Sequence, residues 1–178
     1  MIDSKTIIVL IGLRGSGKSS VARVLAARLG RAWSDLDDRS AALLREANAG
    51  DAIRKYGEGA FRRAELEAMV AALREEGTVL ALGGGTPTAP GVEEMLMGAR
   101  KQGTVRVVYL RASERTLRVR LAAADNAHRP SLTGAGVLDE IGVLLNLRDT
   151  LYKTLADVVV EVDGKSVEEA AEAVLGSV

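Results

Sequence analysis

The sequence predicts an α/β fold of three layers, α/β/α, with a central parallel sheet of about five strands. Segments of strand character alternate with segments of helical character, an order that favours parallel strands joined by helices. Most of the strand segments are continuously apolar, which is typical of strands covered on both faces. The 178 residues contain no internal repeat and no interdomain linker, so we expect a single domain over residues 1–178.

The composition is that of an ordinary globular chain. Hydrophobic residues make up 47% of it and charged residues 27%, and 24 Lys and Arg residues balance 24 Asp and Glu residues. Because the formal net charge is zero, we expect neither nucleic acid nor a membrane as a partner. The sequence has no cysteine, which excludes a disulfide framework, a thiolate nucleophile and a cysteine-based zinc site.

Two further properties bear on location and assembly. No apolar stretch approaches 18 residues, and residues 1–5 lead into an apolar strand rather than a signal peptide, so we expect a cytoplasmic protein. Aromatic residues make up only 3% of the chain, which argues against a large apolar surface patch. We therefore expect a monomer.

Five segments have strand character. Most are runs of apolar residues, whereas the second is short and weak and ends in three acids, Asp35, Asp37 and Asp38. The predicted strands are 6–11, a segment within 31–38, 78–82, 105–110 and 158–162.

Seven segments have helical character. Gly30 and Gly77 close the first and third of them, Gly50 is expected to interrupt the second, and Ser113 is expected to cap the fifth. In the third helix we expect Phe61, Leu66, Met69, Val70 and Leu73 to form the apolar face. The predicted helices are 20–29, 39–56, 61–76, 91–100, 113–122, 137–155 and a last one from about 166. Residues 123–136 are small and polar, and a loop of this length predicts either a mobile functional lid or a partly disordered segment.

The turn between the first strand and the first helix carries the clearest motif. Residues 12–19 read G-L-R-G-S-G-K-S, which matches the phosphate-binding pattern G-x-x-x-x-G-K-[ST]. Glycines let backbone N–H groups surround a phosphate, and the helix N-terminus adds a positive dipole end. A glycine-rich turn that binds nothing is the alternative, but both flanks favour a nucleoside triphosphate site. Its expected residues are Gly12, Gly15, Ser16, Gly17, Lys18, Ser19 and Ser20, with Lys18 on the β- and γ-phosphates and Ser19 on Mg²⁺.

Two acids and three glycines also follow predicted strands, at the edge where a parallel sheet binds its ligands. In an extended chain Asp35 and Asp37 would point to one face, where one could hold Mg²⁺ and the other could accept a proton. A solvated turn or a helix cap is the alternative for these acids. The glycines of Gly83–Gly85 either form a flexible turn or let a substrate approach bare amides.

Three arginines are candidates for anion binding. Arg62 has a possible partner three residues on in Glu65, Arg129 precedes Pro130 in the expected lid, and Arg148 lies on a long helix. Each of the three, taken alone, is equally consistent with a solvated surface side chain.

Taken together, these features resemble the shikimate kinase family, small-molecule kinases of the nucleoside monophosphate kinase-like P-loop group. The resemblance covers about residues 5–155 in order and spacing. The discriminating features are D-L-D at 35–37, G-E-x-x-F-R-x-x-E at 57–65, the triple glycine, R-P at 129–130, and Arg148 with Tyr152. The chain departs from the usual pattern at Ile53, Ser131 and Thr150, and Asp38 beside Asp37 leaves open which of these two acids is the base.

The resemblance implies a role for each of the matching residues. Asp37 would contact the shikimate hydroxyls and act as the base within a substrate-binding segment of about 36–65, and Arg62 and Arg148 would hold the carboxylate. Gly84, flanked by Gly83 and Gly85, would donate backbone hydrogen bonds to ring hydroxyls. Asp35 would join Ser19 at Mg²⁺, Arg120 would lie against the adenine, and Arg129 would bring the lid to the transferring phosphate.

The expected activity is transfer of the γ-phosphoryl group of MgATP to the 3-hydroxyl of shikimate, a step toward aromatic amino acids. Two alternatives stay open. One is a related P-loop kinase of gluconate or of a nucleoside monophosphate, and the other is a nucleotide-binding module without turnover. The triple glycine and the F-R-x-x-E segment favour a small carboxylated polyol.

Overall fold

A computed structural model describes residues 3–123 and 138–178, and its centre is one parallel sheet of five strands. The spatial order of the strands is β2-β3-β1-β4-β5, and every neighbouring pair runs parallel. The predicted α/β fold with a five-stranded parallel sheet is therefore confirmed. The strands are β1 Ile7–Ile11, β2 Trp33–Asp35, β3 Val79–Ala81, β4 Val105–Arg111 and β5 Val158–Glu161.

Helices flank this sheet and connect its strands. α1 packs against α8, and α5 and α7 both pack against β4. The helices are α1 Lys18–Leu29, α2 Leu36–Leu43, α3 Ala49–Tyr56, α4 Glu58–Ala72, α5 Val92–Lys101, α6 Glu114–Ala123, α7 Ile141–Leu155 and α8 Val167–Leu175, with a 3-10 turn at Thr86–Thr88.

The sheet shows why its strands have different compositions. All five residues of β1 are buried, because this strand lies in the middle of the sheet and is covered on both faces. The edge strands are more open: Trp33 in β2 and Val159 in β5 are exposed. The carboxyl ends of β1, β2 and β3 therefore form a continuous rim, and the candidate functional residues follow these ends.

The predicted Ser113 cap of α6 is confirmed, and the structure adds a cap of α8 that was not predicted. The N–H of Thr116 donates to Oγ of Ser113 over 3.3 Å at the start of α6. At the start of α8, Ser166 and Glu169 form a reciprocal capping box, with the N–H of Glu169 donating to Oγ of Ser166 over 3.1 Å.

The predicted position of the break between α2 and α3 is wrong. The chain leaves the helix after Leu43, and Arg45 has a φ of +60°. Gly50 is buried in the first turn of α3, whose N-cap is Asn48. A glycine in a first turn does not end a helix, because the cap supplies acceptors for the first N–H groups.

Two other predicted helices begin at different residues. α4 begins at Glu58 and ends at Ala72, and its expected core residues Leu66 and Val70 are exposed, whereas Glu65 and Ala68 are buried. α7 begins at Ile141, after a turn at 138–140, rather than at 137. Residues 124–136 of the expected lid lie outside the described residues.

Candidate active site

A cavity of about 310 Å³ opens at the carboxyl ends of the central strands. It brings together most of the predicted site: the phosphate-binding turn, the acid that ends β2 and the acid two residues later, the triple glycine, and two arginines from α4 and α7. The predicted residues that line it are Gly15, Gly17, Lys18, Ser19, Ser20, Asp35, Asp37, Arg62, Gly83, Gly84, Gly85 and Arg148.

The turn between β1 and α1 has the backbone that its glycines were expected to allow. Gly17 is the N-cap of α1 with a φ of +94°, a conformation in which a side chain would be strained. Lys18 is buried, and its Nζ donates to the carbonyl oxygen of Leu13 over 3.0 Å, so the ammonium lies across the turn. Gly12 and Ser16 belong to the same turn but are not among the residues that line the cavity.

The hydroxyl of Ser19 and the carboxylate of Asp35 are in contact, and both residues line the cavity. Ser19 Oγ donates to Asp35 Oδ2, and Asp35 Oδ1 accepts from the backbone N–H of Asp37 over 2.9 Å. Asp35 therefore also caps α2, and a helix cap was one of the alternative roles predicted for this residue. The Ser19 hydroxyl and the Asp35 carboxylate are both hard oxygen ligands of the kind that Mg²⁺ binds. Within residues 3–123 and 138–178, no group of three or more His, Cys, Asp and Glu could form a larger metal site.

Asp37 reaches the cavity by a different geometry from the predicted one. The strand ends at Asp35, and Asp37 lies in the first turn of α2, so the expected extended alternation between the two acids is wrong. The helix begins early because Asp35 supplies its cap. Asp37 still lines the cavity, whereas Asp38 is exposed and is not among the lining residues.

Arg62 is held at the cavity by a buried acid. Its Nη1 donates to Glu65 Oε2 over 2.7 Å, and its Nη2 donates to Glu58 Oε1 over 3.3 Å. Burial lowers the pKa of Arg62, but the bonds to these carboxylates outweigh it and the pKa is raised overall. Glu65, which is 1% exposed, also accepts from the hydroxyl of Thr86. The guanidinium therefore stays charged and fixed.

The triple glycine lies where other groups come too close for side chains. A Cβ on Gly84 would lie 2.9 Å from the backbone nitrogen of Arg14, and one on Gly83 would lie 2.4 Å from Asp37 Oδ1. Arg148 Nη1 donates to the carbonyl oxygen of Gly84 over 3.0 Å. Close approach of backbone accounts for Gly84, whereas Gly83 and Gly85 lie against the side chains of Asp37 and Arg62.

Arg120 lies apart from the cavity lining. Its guanidinium donates to the carbonyl oxygens of Ser16 at 3.2 Å, Val162 at 3.2 Å and Lys165 at 3.3 Å. It thus joins the phosphate-binding turn to the connection between β5 and α8. Arg129, the remaining predicted residue, lies outside the described residues.

Several lining residues were not among the sequence candidates. From the sequence, Glu65 was identified only as a possible partner of Arg62. The sequence signal that could have placed Glu65 in the site is its position three residues after that arginine. Ile141 and Leu144 from α7 and Leu117 and Leu121 from α6 form an apolar wall, for which ordinary helical periodicity gave no distinct signal.

Comparisons with known proteins assign this arrangement to a family. The family model described as shikimate kinase matches residues 14–178. The chain belongs to the shikimate kinase family. Among its relatives, the shikimate kinase of Mycobacterium avium is 40% identical over 162 residues, which are 89% of this chain and 85% of that protein. The shikimate kinase of Streptomyces coelicolor is 37% identical over 177 residues, which are 98% and 96% of the two chains.

Solved structures agree with this family assignment. A shikimate kinase from Acinetobacter baumannii, solved in complex with shikimate, superposes with a TM-score of 0.85 at 29% identity, covering 98% of this chain and 93% of that one. A gluconokinase from Sinorhizobium meliloti gives a TM-score of 0.61 at 20% identity and so shares the fold alone.

The family fixes the class of reaction. As a member of the shikimate kinase family, the protein is a phosphotransferase that uses ATP and acts on a small molecule. Among the described helices, none has both the length and the apolar character needed to cross a bilayer.

Proposed function

We propose that this enzyme transfers the γ-phosphoryl group of ATP to the 3-hydroxyl of shikimate, giving shikimate 3-phosphate and ADP. The main support for the proposal is that Arg62, Arg148, Asp37 and the bare backbone of Gly83–Gly85 all line one cavity beside the phosphate-binding turn. This set of groups matches a small acceptor that has both a carboxylate and several hydroxyls.

The acceptor is bound through its two kinds of polar group. Arg62 and Arg148 receive the carboxylate, since a guanidinium offers paired donors with the geometry of a carboxylate. Backbone N–H groups of Gly83–Gly85 donate to ring hydroxyls, which can approach because no side chain intervenes.

Asp37 is the base in this proposal. Its carboxylate accepts the proton of the 3-hydroxyl as that oxygen bonds to the γ-phosphorus and the bond to the β,γ-bridging oxygen of ADP breaks. Lys18 lies across the phosphate-binding turn and offsets the charge on the transferring group. By the family resemblance, Arg129 adds a second positive charge there and Arg120 lies against the adenine.

The donor is MgATP. Ser19 and Asp35 fit the metal, because a hydroxyl and a carboxylate are already in contact at the end of the phosphate-binding turn. When bound there, Mg²⁺ would neutralise part of the charge on the phosphate groups of ATP. The working unit in this proposal is a monomer with no nucleic-acid or membrane partner.

An acceptor panel tests the function. ADP release is measured with MgATP and, in parallel wells, shikimate, gluconate and the common nucleoside monophosphates. The proposal expects release that depends on shikimate, with a phosphorylated product at the 3-position by ³¹P NMR. Turnover with another acceptor and none with shikimate would overturn it, as would ATP binding without turnover on any acceptor.

A further inference from the structure

The carbonyl oxygen of Gly84 accepts hydrogen bonds from two side chains of the same helix, α7. One donor is Arg148 Nη1, at 3.0 Å, and the other is the hydroxyl of Tyr152, one turn further along. Tyr152 is fully buried, and burial raises the pKa of its phenol to about 12. Its hydroxyl is therefore neutral and able to donate throughout the physiological pH range.

The bond from Tyr152 fixes more than one oxygen atom. The peptide between Gly84 and Gly85 is trans and planar, so the direction of the Gly84 carbonyl sets the direction of the Gly85 N–H on the opposite side. The carbonyls on either side are also held, since the N–H of Thr86 donates to Gly83 at 3.1 Å and the hydroxyl of Thr88 donates to Gly85 at 2.7 Å. Three glycines have no side chains with which to hold this arrangement themselves.

We propose that Tyr152 is a positioning residue for the acceptor: its hydroxyl sets the plane of the Gly84–Gly85 peptide and ties that peptide to the helix that carries Arg148. The distance between the amide donors for the ring hydroxyls and the guanidinium for the carboxylate is thereby fixed. This inference rests on the proposed function, in which those two groups bind the same molecule.

A second buried tyrosine provides a matched control. Tyr109 packs edge-on against Tyr152, with ring centroids 5.2 Å apart, and its hydroxyl donates to Asp149 Oδ1 over 3.0 Å. Both phenols are buried and both donate to an acceptor on the protein, but of the two only Tyr152 donates to the glycine segment, Gly83–Gly85. A change to Phe at each position removes one buried hydroxyl and leaves the ring.

The kinetic test compares Tyr152→Phe with Tyr109→Phe. Thermal unfolding of both variants is measured first, and the assays are run at a temperature where both are folded. For Tyr152→Phe we expect the KM for shikimate to rise about fivefold to tenfold, the effect of losing one hydrogen bond, while the KM for ATP stays within twofold. For Tyr109→Phe we expect both KM values to stay within twofold of the wild type.

A structural readout does not depend on turnover. In ¹H–¹⁵N spectra of the ligand-free protein, the Gly85 amide should shift in Tyr152→Phe and keep its wild-type position in Tyr109→Phe. Equal KM changes in the two variants, or an unmoved Gly85 amide in Tyr152→Phe, would overturn the inference. If the wild type uses another acceptor instead, the proposed function fails, and a shifted Gly85 amide would still support the role of Tyr152 in holding the peptide.

Discussion

The hydroxyl of Ser19 donates a hydrogen bond to Oδ2 of Asp35, although β1, which precedes Ser19, and β2, which ends at Asp35, are not neighbours in the sheet. The other oxygen of Asp35 accepts from the N–H of Asp37 over 2.9 Å. One carboxylate thus links the end of the phosphate-binding turn, the proposed metal position and the helix that carries the proposed base. The nucleotide and acceptor halves of the site meet at Asp35.

Asp35→Asn separates the metal role from the capping role. Asn caps helices about as well as Asp, so we expect the free energy of unfolding to change by less than about 0.5 kcal/mol. Loss of the negative charge should raise the Mg²⁺ concentration for half-maximal rate about tenfold or more, as measured by ADP release over a magnesium titration. Asp38→Asn, which removes an exposed charge, is the control. An unchanged magnesium requirement in Asp35→Asn would remove Asp35 from the metal site.

Arg62 should be needed both for the fold and for the acceptor. Because Glu65 is buried beside it, Arg62→Ala should lower the free energy of unfolding by about 2–3 kcal/mol, measured by urea denaturation. Arg62→Lys keeps a charge for Glu65 but loses the paired donors, so we expect a smaller loss of stability and a KM for shikimate at least about tenfold higher. Arg63→Lys, at an exposed neighbour, should match the wild type. A normal KM for shikimate in Arg62→Lys would argue against carboxylate binding.

Gly84→Ala tests the close approach of the glycine segment to the phosphate-binding turn. The new Cβ would lie 2.9 Å from the backbone nitrogen of Arg14, which cannot move without shifting that turn. We expect unfolding free energy to fall by about 1–3 kcal/mol and kcat/KM for shikimate to fall about tenfold or more. Gly98→Ala in α5 meets no atom within 4 Å and should stabilise the protein by about 0.5–1 kcal/mol. Equal effects of the two changes on activity would contradict the packing argument.

Asp149 should contribute to stability in a defined pH window. Burial opposes its ionisation, but donors from Arg111, Lys153 and Tyr109 outweigh burial and lower the pKa of Asp149 to about 2, from an ordinary value of 3.8. A depressed pKa contributes stability above pH 4 that is lost as the pH falls toward 2. Asp149→Asn should therefore cost on the order of 2 kcal/mol at pH 7, and the difference from wild type should shrink between pH 4 and 2. A difference that stays constant over that range would contradict the assigned pKa.

The sequence was sufficient to predict the sheet and the phosphate-binding turn, because both follow from local patterns. β1 is a continuous apolar run ahead of a spaced glycine motif, and that combination needs no knowledge of distant contacts. The meeting of the acids and the glycines at one rim was also predictable, since parallel strands share the edge at which they end, whereas Arg62 was expected there only from the family resemblance.

Local sequence patterns gave wrong predictions where a side-chain hydrogen bond determines the backbone conformation. Asp35 caps α2 and so starts a helix at Leu36, where spacing alone suggested an extended chain. The hydrogen bonds from Arg120 to Ser16 and from Tyr152 to Gly84 join residues that are far apart in the chain. No periodicity encodes such contacts, and they emerge only when the helices are packed on the sheet.

The most direct test of the account is the turnover of Asp37→Asn, measured together with its affinity for each substrate. We expect kcat for shikimate phosphorylation to fall by about 10²–10⁴-fold, because the proton of the acceptor hydroxyl loses its base. Calorimetry should give a Kd for ATP within about threefold of the wild type, since Lys18 and the phosphate-binding turn are unchanged, and Asp38→Asn should turn over normally. A kcat near the wild-type value in Asp37→Asn would show that Asp37 is not the base for the acceptor hydroxyl.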